Sequence, residues 1–205
     1  MTDSPIIGAL ELLDYFGIAV FAVSGALLAA EKRQTLVTFI FFAVATGVGG
    51  GTVRDLLIGA PVFWVHSNAT LLICIAAALL VWAASSRRFA GSALLWFDAA
   101  GLAAYATYGA AKALAYSVAP VPAFVMGVLT ACAGGIIRDL LAGEPSILMR
   151  PELYVTAAAL ASGLFVGLVL LGVPGVAAAL AAGAAGLTLR GLAIARGWSL
   201  PAYRD

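Results

Sequence analysis

The sequence predicts an all-α integral membrane protein with seven transmembrane helices: two inverted three-helix repeats, formed by helices 1–3 and 4–6, and a seventh helix. Its composition, the spacing of its apolar segments and an internal repeat lead to this prediction. Of its 205 residues, 63% are hydrophobic and 10% are charged, and the mean hydropathy is +1.08. A soluble domain carries about 25% charged residues. The chain is therefore expected to reside in a bilayer.

Seven apolar segments are long enough to cross the roughly 30 Å of membrane hydrocarbon, which takes about 20 residues of helix. Short connections with turn residues or charges separate them, and no linker divides the chain into two domains. A single transmembrane domain is therefore expected over residues 1–205. The predicted helices lie at about 10–30, 35–59, 67–84, 95–116, 120–142, 152–171 and 174–194.

Basic residues are distributed unequally between the two membrane faces. The face that receives the loops after helices 1, 3 and 5 and the carboxyl tail carries eight lysines and arginines, and the other face carries none. Cytoplasmic loops are enriched in lysine and arginine, so the carboxyl end is expected in the cytoplasm and the amino terminus outside, with no cleaved signal peptide. The eight residues are Lys32, Arg33, Arg87, Arg88, Arg150, Arg190, Arg196 and Arg204.

Several function classes are disfavoured by the sequence. The net charge of +1 offers no basic face to nucleic acid. The motifs HExxH, GxSxG and CxxC are absent from the sequence, and one histidine does not build a metal cluster. Cys74 and Cys132 lie in apolar runs, where a thiol behaves as a small hydrophobic group. The sequence therefore predicts neither an enzyme nor a bound cofactor or metal.

One motif occurs twice. GGTVRDLLIGAP at 50–61 returns as GGIIRDLLAGEP at 134–145, displaced by 84 residues with eight of twelve positions identical. The same displacement pairs Asp14 with Asp98. Each unit contains three helices, an odd number, so the second copy enters the membrane from the opposite side. Repeat 1 is placed at about 10–85, repeat 2 at about 94–171 and helix 7 at about 174–194.

Glycines interrupt helices 2 and 5 near their middle. Gly49, Gly50 and Gly51 lie in helix 2, and Gly134 and Gly135 lie in helix 5. Each glycine costs about 1 kcal/mol relative to alanine in a helix interior. Irregular backbone is tolerated at membrane depth where it lines protein or water. Both helices are therefore predicted to break at the glycines, beside a polar path.

Arginine and aspartate follow the glycines in both copies, as Arg54-Asp55 and Arg138-Asp139. Charges inside a membrane are costly and usually functional. Adjacent helical residues point about 100° apart, so each charge is expected to find a partner on another helix. Asp14 is proposed to lie near Arg54, and Asp98 near Arg138.

Structural interpretations remain open for these residues. Buried ion pairs also fix the register of packed repeats, and glycines also allow close helix packing. The two helix-starting aspartates, Asp14 and Asp98, are also favoured by the helix dipole. Lys112, near the end of helix 4, is able to snorkel to the membrane surface.

The repeated GGxxRDLLxGxP motif and the seven-helix arrangement resemble the prokaryotic branch of the trimeric intracellular cation channel family. This resemblance covers all seven helices. It implies a homotrimer in the prokaryotic inner membrane, with an hourglass pore for potassium and other monovalent cations in every subunit. Helices 1, 2, 4 and 5 would line the pore. Animal members bind phosphoinositide near the motif, but this chain has arginine followed by aspartate there, so lipid is expected only as the surrounding membrane.

The residues carried over to the narrow zone by motif are Gly50, Gly51, Arg54, Asp55, Gly134, Gly135, Arg138 and Asp139. Carboxylates would neutralise the two arginines, leaving the hydroxyls of Ser24, Thr46 and Thr130 to replace part of the ion's water. Selectivity for potassium over sodium is therefore expected to be weak. Lys112 is a candidate gate in the outer vestibule. The alternative function is a secondary transporter of glycine or another small zwitterion, which also uses inverted repeats.

Overall fold

The computed structural model describes residues 5–84 and 90–201, and within them the chain forms seven α-helices and two short 3₁₀ turns. Arg87, Arg88 and Arg204, which were counted above for orientation, lie outside the described residues. The helices are α1 (Pro5–Glu31), α2 (Leu36–Leu57), α3 (Asn68–Ala84), α4 (Ala90–Ala115), α5 (Pro120–Leu141), α6 (Val155–Leu170) and α7 (Gly175–Arg196). The 3₁₀ turns, Phe63–His66 after α2 and Ile147–Met149 after α5, were not predicted.

The seven expected helices are thus confirmed, with shifts of a few residues at their ends. Within the described ranges, four spans are both long and apolar enough to cross a membrane: Leu12–Glu31 within α1, and α2, α5 and α7. Helices α3 and α6 are also apolar but have 17 and 16 residues. Helix α4 carries Asp98 and Lys112, and it packs against α1, α5, α6 and α7. Asp98 is therefore buried by protein, and Lys112 is partly buried.

Equivalent positions of the two repeats meet between α1 and α4. The rings of Phe21 and Tyr105, 84 residues apart, lie 5.4 Å apart between their centroids. Gly17 faces the Tyr105 ring, and a Cβ on Gly101 would lie 2.9 Å from the Phe21 ring. The two halves of the chain thus contact each other through matching surfaces.

The loops show that the two repeats are inverted. Lys32, after α1, forms an ion pair with Glu144, after α5, so these two loops share one face of the bundle. Lys112, near the end of α4, contacts Asp55 and the Phe63 ring beyond the end of α2, on the opposite face. The α1–α2 loop of repeat 1 and the equivalent α4–α5 loop of repeat 2 therefore lie on opposite faces. We call the face of Lys32 and Glu144 the basic face.

Helices α2 and α5 run without interruption through their glycines, so the predicted helix breaks are wrong. The glycines permit close packing instead. A Cβ on Gly134 would lie 2.8 Å from the Thr46 carbonyl oxygen, and one on Gly50 would lie closer still to the Thr130 carbonyl oxygen. Since these carbonyls belong to the backbone of the other helix, a larger residue would force α2 and α5 apart.

The flanking glycines also serve packing. A Cβ on Gly49 would meet the Ile137 side chain at 2.7 Å, and one on Gly51 would meet the Phe63 ring at 2.5 Å. Gly135 leaves room for the Tyr154 hydroxyl, which would lie 2.6 Å from an added Cβ. The glycine pattern was therefore a signal of contact between elements, the interpretation left open above.

Candidate functional site

Each repeat buries an arginine that bonds to the aspartate next to it. Arg54 Nε donates to Asp55 Oδ1 at 2.8 Å, and Arg138 Nε donates to Asp139 Oδ1 at 2.9 Å. The arginines are 0% and 2% exposed, respectively. Each charge was expected to find its partner on another helix, but the long arginine side chain also curls back along its own helix and reaches the neighbouring aspartate.

The second oxygen of each aspartate holds the loop beyond its helix. Asp55 Oδ2 accepts the Phe63 N–H at 3.1 Å, and Asp139 Oδ2 accepts the Ile147 N–H at 2.9 Å. These two amides are also 84 residues apart and begin the 3₁₀ turns. Each aspartate therefore binds the buried arginine with one oxygen and a backbone amide of the following surface loop with the other.

The repeat 2 site contains a second carboxylate. Arg138 Nη1 lies 2.5 Å from Asp98 Oδ1 and donates to Ser24 Oγ at 2.6 Å. The predicted pairing of Asp98 with Arg138 is therefore confirmed, and Ser24 is placed beside them. Asp98, Asp139 and Arg138 together carry a formal charge of −1.

The repeat 1 site is built differently. Lys112 Nζ lies 2.8 Å from Asp55 Oδ1, and the Arg54 guanidinium lies 5.0 Å from the centre of the Tyr108 ring. Among the described side chains, no direct ion pair joins Asp14 to Arg54 or Lys112, although both cations lie close enough to interact electrostatically with its carboxylate. Asp14 is therefore near Arg54, as predicted, but does not contact it. Asp14 is nevertheless buried, and its Oδ1 has no hydrogen-bond partner.

Two substitutions between equivalent positions explain this difference. Ser24 of repeat 1 corresponds to Tyr108 of repeat 2, and Leu28 corresponds to Lys112. The site around Arg138 therefore receives a serine, whereas the site around Arg54 receives an aromatic ring and an ammonium group. Counting Asp14, the repeat 1 site has two cations and two carboxylates.

A cavity of about 320 Å³ opens at the basic face and reaches the repeat 2 site. Both members of the Arg138-Asp139 pair contribute to its wall, as do Glu31 and Glu144. Hydrogen bonding to the Lys32 ammonium lowers the pKa of Glu144, so this rim carboxylate stays ionised to lower pH. Arg150 also lines the cavity, so the cavity leads from a rim of mixed charge to the buried charges.

The remaining predicted path residues lie where α1, α2, α4 and α5 meet. Thr46 and Thr130 are both 0% exposed, and Thr130 Oγ1 donates to the Met126 carbonyl oxygen at 2.6 Å. Thr46 Oγ1 has no hydrogen-bond partner. A Cβ on Gly25 or Gly109 would meet Thr46 or Thr130, respectively, at 2.6 Å. The side chains proposed for the path are therefore brought together but are enclosed by protein.

Tyr108, Phe63 and Tyr154 also contribute to these sites and were not predicted. Tyr108 was detectable, because the 84-residue displacement pairs it with Ser24, which was singled out. Phe63 contacts Arg54 from the turn after α2, and no motif marks it. Tyr154 is 1% exposed and lies beside Gly135, and nothing in its local sequence indicates this position.

Comparison with known proteins agrees with this arrangement. The sequence profile of a family described as "Glycine transporter" matches residues 11–86 and again residues 95–170, with the same 84-residue offset as the repeat. The solved structure of a trimeric intracellular cation channel (TRIC) orthologue from Rhodobacter sphaeroides superimposes with a TM-score of 0.87. It is 42% identical in sequence, and the match covers 92% of this chain and 98% of that one. The chain belongs to the TRIC family.

Other relatives of this TRIC protein are bacterial membrane proteins. A UPF0126 membrane protein from Vibrio cholerae is 44% identical over 151 residues, which are 72% of this chain and 63% of that protein. The chain thus spans less than two thirds of the Vibrio protein's length. The inner membrane protein YadS from Escherichia coli K12 is 41% identical over 148 residues, covering 71% of this chain and 72% of YadS.

Proposed function

We propose that this TRIC protein is a weakly selective channel for potassium and other monovalent cations, with one pore in each subunit of a homotrimer. It would lie in the bacterial inner membrane with its amino terminus outside. One observation carries the proposal: the two buried arginine–aspartate sites lie toward opposite faces, on either side of the α2–α5 contact, in a chain similar to a solved cation channel.

The proposed route enters through the cavity at the basic face and passes Asp139, Arg138 and Asp98. It then follows the α2–α5 contact beside Thr46 and Thr130, and leaves past Asp55 and Lys112. Neighbouring carboxylates neutralise the arginines, so a cation on this route is not repelled by a free guanidinium. Because the path residues are buried here, conduction requires α2 and α5 to separate.

Recording the purified protein in a planar bilayer under a KCl gradient tests the proposal. We expect discrete single-channel current steps whose reversal potential is shifted from zero toward the equilibrium potential of potassium. A reversal potential shifted toward the equilibrium potential of chloride would contradict the proposal. So would the absence of current steps from protein that is shown to be folded and inserted in the bilayer.

A carrier of glycine or another small zwitterion is the second candidate function. The equivalent charged sites toward opposite faces are the observation in its favour. A carrier would rock one repeat against the other to expose its site alternately. Saturable glycine counterflow into proteoliposomes, without single-channel steps, would favour this carrier over the channel.

Replacing Lys112 with alanine is expected to raise the open probability. The ammonium contacts Asp55 and lies 5.8 Å from the centre of the Phe63 ring, where it blocks the repeat 1 site. Its removal frees the carboxylate for a permeant ion. Single-channel recording measures the effect, with Lys112→Arg as the charge-conserving control. Unchanged open probability and conductance in Lys112→Ala would remove Lys112 as the gate.

Potassium is expected to be only weakly preferred over sodium. The polar groups of the proposed route are carboxylates and scattered hydroxyls rather than a ring of backbone carbonyls that replaces the whole hydration shell. Reversal potentials under bi-ionic potassium and sodium conditions measure this preference. A large shift of the reversal potential toward the potassium side would contradict the expectation.

A further inference from the structure

We propose that a second cavity at the basic face binds an anionic phosphate group, supplied by a membrane lipid, with Arg190 as the main ligand. The cavity has a volume of about 220 Å³ and lies between α4, α7, residues 197–199 and Glu152. Glu152 belongs to the α5–α6 loop, which also carries Glu144 of the basic face. The cavity lies apart from the repeated motif, and the inference does not depend on conduction.

Arg190, in the wall of this cavity, is buried but makes few hydrogen bonds. It is 1% exposed, against 2% for Arg138, which donates from Nε, Nη1 and Nη2. Among the described residues, Arg190 donates only from Nη2, to Glu152 Oε2 at 2.6 Å, and its Nε has no partner. Buried polar atoms are almost always satisfied, and a guanidinium carries five N–H donors. The unused donors therefore indicate an acceptor from outside the described chain.

The guanidinium of this arginine is held in place by the protein itself. Its Cζ lies over the Tyr154 ring, 5.4 Å from the ring centre, which leaves the edges of the planar group for hydrogen bonds. Its partner Glu152 forms an isolated antiparallel bridge with Ser199, and the Leu200 N–H donates to the Pro151 carbonyl oxygen at 2.7 Å. The carboxyl-terminal segment thus fixes the α5–α6 loop beside α7, and the cavity wall is built without a ligand.

The charges around the cavity indicate that the acceptor is an anion. Glu152 Oε2 pairs with Arg190, and Glu152 Oε1 lies 4.0 Å from Arg150 Nη1. The Arg196 guanidinium lies 5.3 Å from the centre of the Trp198 ring, which also lines the cavity. Three arginines and one carboxylate leave a formal charge of +2 in this group. Guanidinium N–H donors match the oxygens of a phosphate group in pairs, so a phosphate fits both the charge and the unused donors.

The remaining walls favour a lipid as the source of the phosphate. Leu95, Ala193 and Ile194 line the cavity beside the charged residues, and α7 is apolar enough to cross a membrane. Trp198 follows the end of α7, and tryptophan is typical of the membrane surface. The share of liquid volume of one water molecule is about 30 Å³, so the cavity has room for a phosphate group. A lipid would place its phosphate at Arg190 and its acyl chains along α7.

Thermal unfolding of the purified protein in a neutral detergent tests the inference. The protein is titrated with phosphatidylglycerol, with phosphatidylcholine of the same acyl chains, or with inorganic phosphate, at constant ionic strength. A ligand of the folded state raises the melting temperature until its site is saturated, and we expect this for phosphatidylglycerol, whose headgroup is anionic. Equal stabilisation by phosphatidylcholine would overturn the proposal. Equal stabilisation by inorganic phosphate would support the phosphate site and overturn the lipid as its source.

Arg190→Lys locates the phosphate. The lysine keeps the positive charge beside Glu152 but removes the planar set of N–H donors, so we expect the half-saturating phosphatidylglycerol concentration to rise about tenfold. Arg33→Lys is the matched control, because Arg33 is exposed in the α1–α2 loop of the same face and is not part of the cavity wall. An unchanged lipid dependence in Arg190→Lys, or an equal loss in Arg33→Lys, would contradict the assignment.

Glu152→Gln separates lipid binding from the stability of the ion pair. The amide oxygen still accepts a hydrogen bond from Arg190, but the negative charge that opposes an anion in the cavity is gone. The half-saturating phosphatidylglycerol concentration is therefore expected to stay the same or to fall, even if the variant melts at a lower temperature without lipid. Loss of the lipid dependence in Glu152→Gln would overturn the proposal, because the response would then belong to the ion pair and not to a bound phosphate.

Discussion

Arg138→Met is expected to destabilise the protein by about 3–5 kcal/mol, the loss typical when one member of a buried ion pair is removed. The substitution would leave two buried carboxylates, Asp98 and Asp139, without their shared cation. Arg54→Met is expected to cost less, because Lys112 remains 2.8 Å from Asp55 Oδ1. Thermal unfolding in detergent, followed by circular dichroism, measures the difference between the two variants.

The double variant Arg138→Met/Asp98→Asn provides the control. It removes one of the two unpaired buried carboxylate charges, so part of the lost stability is expected to return. A loss in Arg54→Met equal to or larger than that in Arg138→Met would contradict the assigned difference between the repeats. So would a double variant that is less stable than Arg138→Met alone.

Gly50→Ala is expected to destabilise the α2–α5 contact by about 1–3 kcal/mol, the usual cost of overpacking a core. The added methyl would collide with the Thr130 carbonyl oxygen, which belongs to the backbone of α5 and is not free to rotate away. Gly134→Ala is expected to act in the same way through the Thr46 carbonyl oxygen, 2.8 Å from the added atom. The melting temperature in detergent measures both effects.

Gly167→Ala is the matched control, because Gly167 is also helical and a Cβ there meets nothing within 4 Å. Alanine is the better helix former by about 1 kcal/mol, so this variant is expected to keep or raise the melting temperature. If Gly50→Ala melted at or above the temperature of Gly167→Ala, close packing would not be the role of the α2 glycines.

The helices and the repeat could be predicted because each leaves a long-range pattern in the sequence. Apolar runs of membrane length mark the spans, and the 84-residue displacement marks the duplication. The Asp98–Arg138 pair followed from the same pattern, since both residues lie toward one face and buried charges need partners. Its counterpart, Asp14 with Arg54, lies in the same site but lacks the direct ion pair, because Lys112 and Tyr108 replace Leu28 and Ser24 around the second arginine.

The role of the glycines could not be predicted from one helix considered alone. A glycine in a membrane helix permits either a break or a close neighbour, and only the position of the Thr130 carbonyl beside Gly50 decides between them. The position of Tyr154 beside Gly135 could not be predicted either. The turn after α5 brings the chain back toward Gly135, and a contact between two separate elements leaves no pattern in the local sequence.

The central claim is that cations pass between the two repeats inside each subunit. Thr46→Cys tests it most directly, in a background with Cys74→Ala and Cys132→Ala, because Thr46 lies at the α2–α5 contact and its hydroxyl has no partner. Phe41→Cys, on the exposed side of α2, is the control. During single-channel recording, a cationic thiol reagent is expected to reduce the Thr46→Cys current in equal decrements, one for each subunit, and to leave the Phe41→Cys current unchanged. Full current through Thr46→Cys protein that mass spectrometry shows to be completely labelled would contradict the claim.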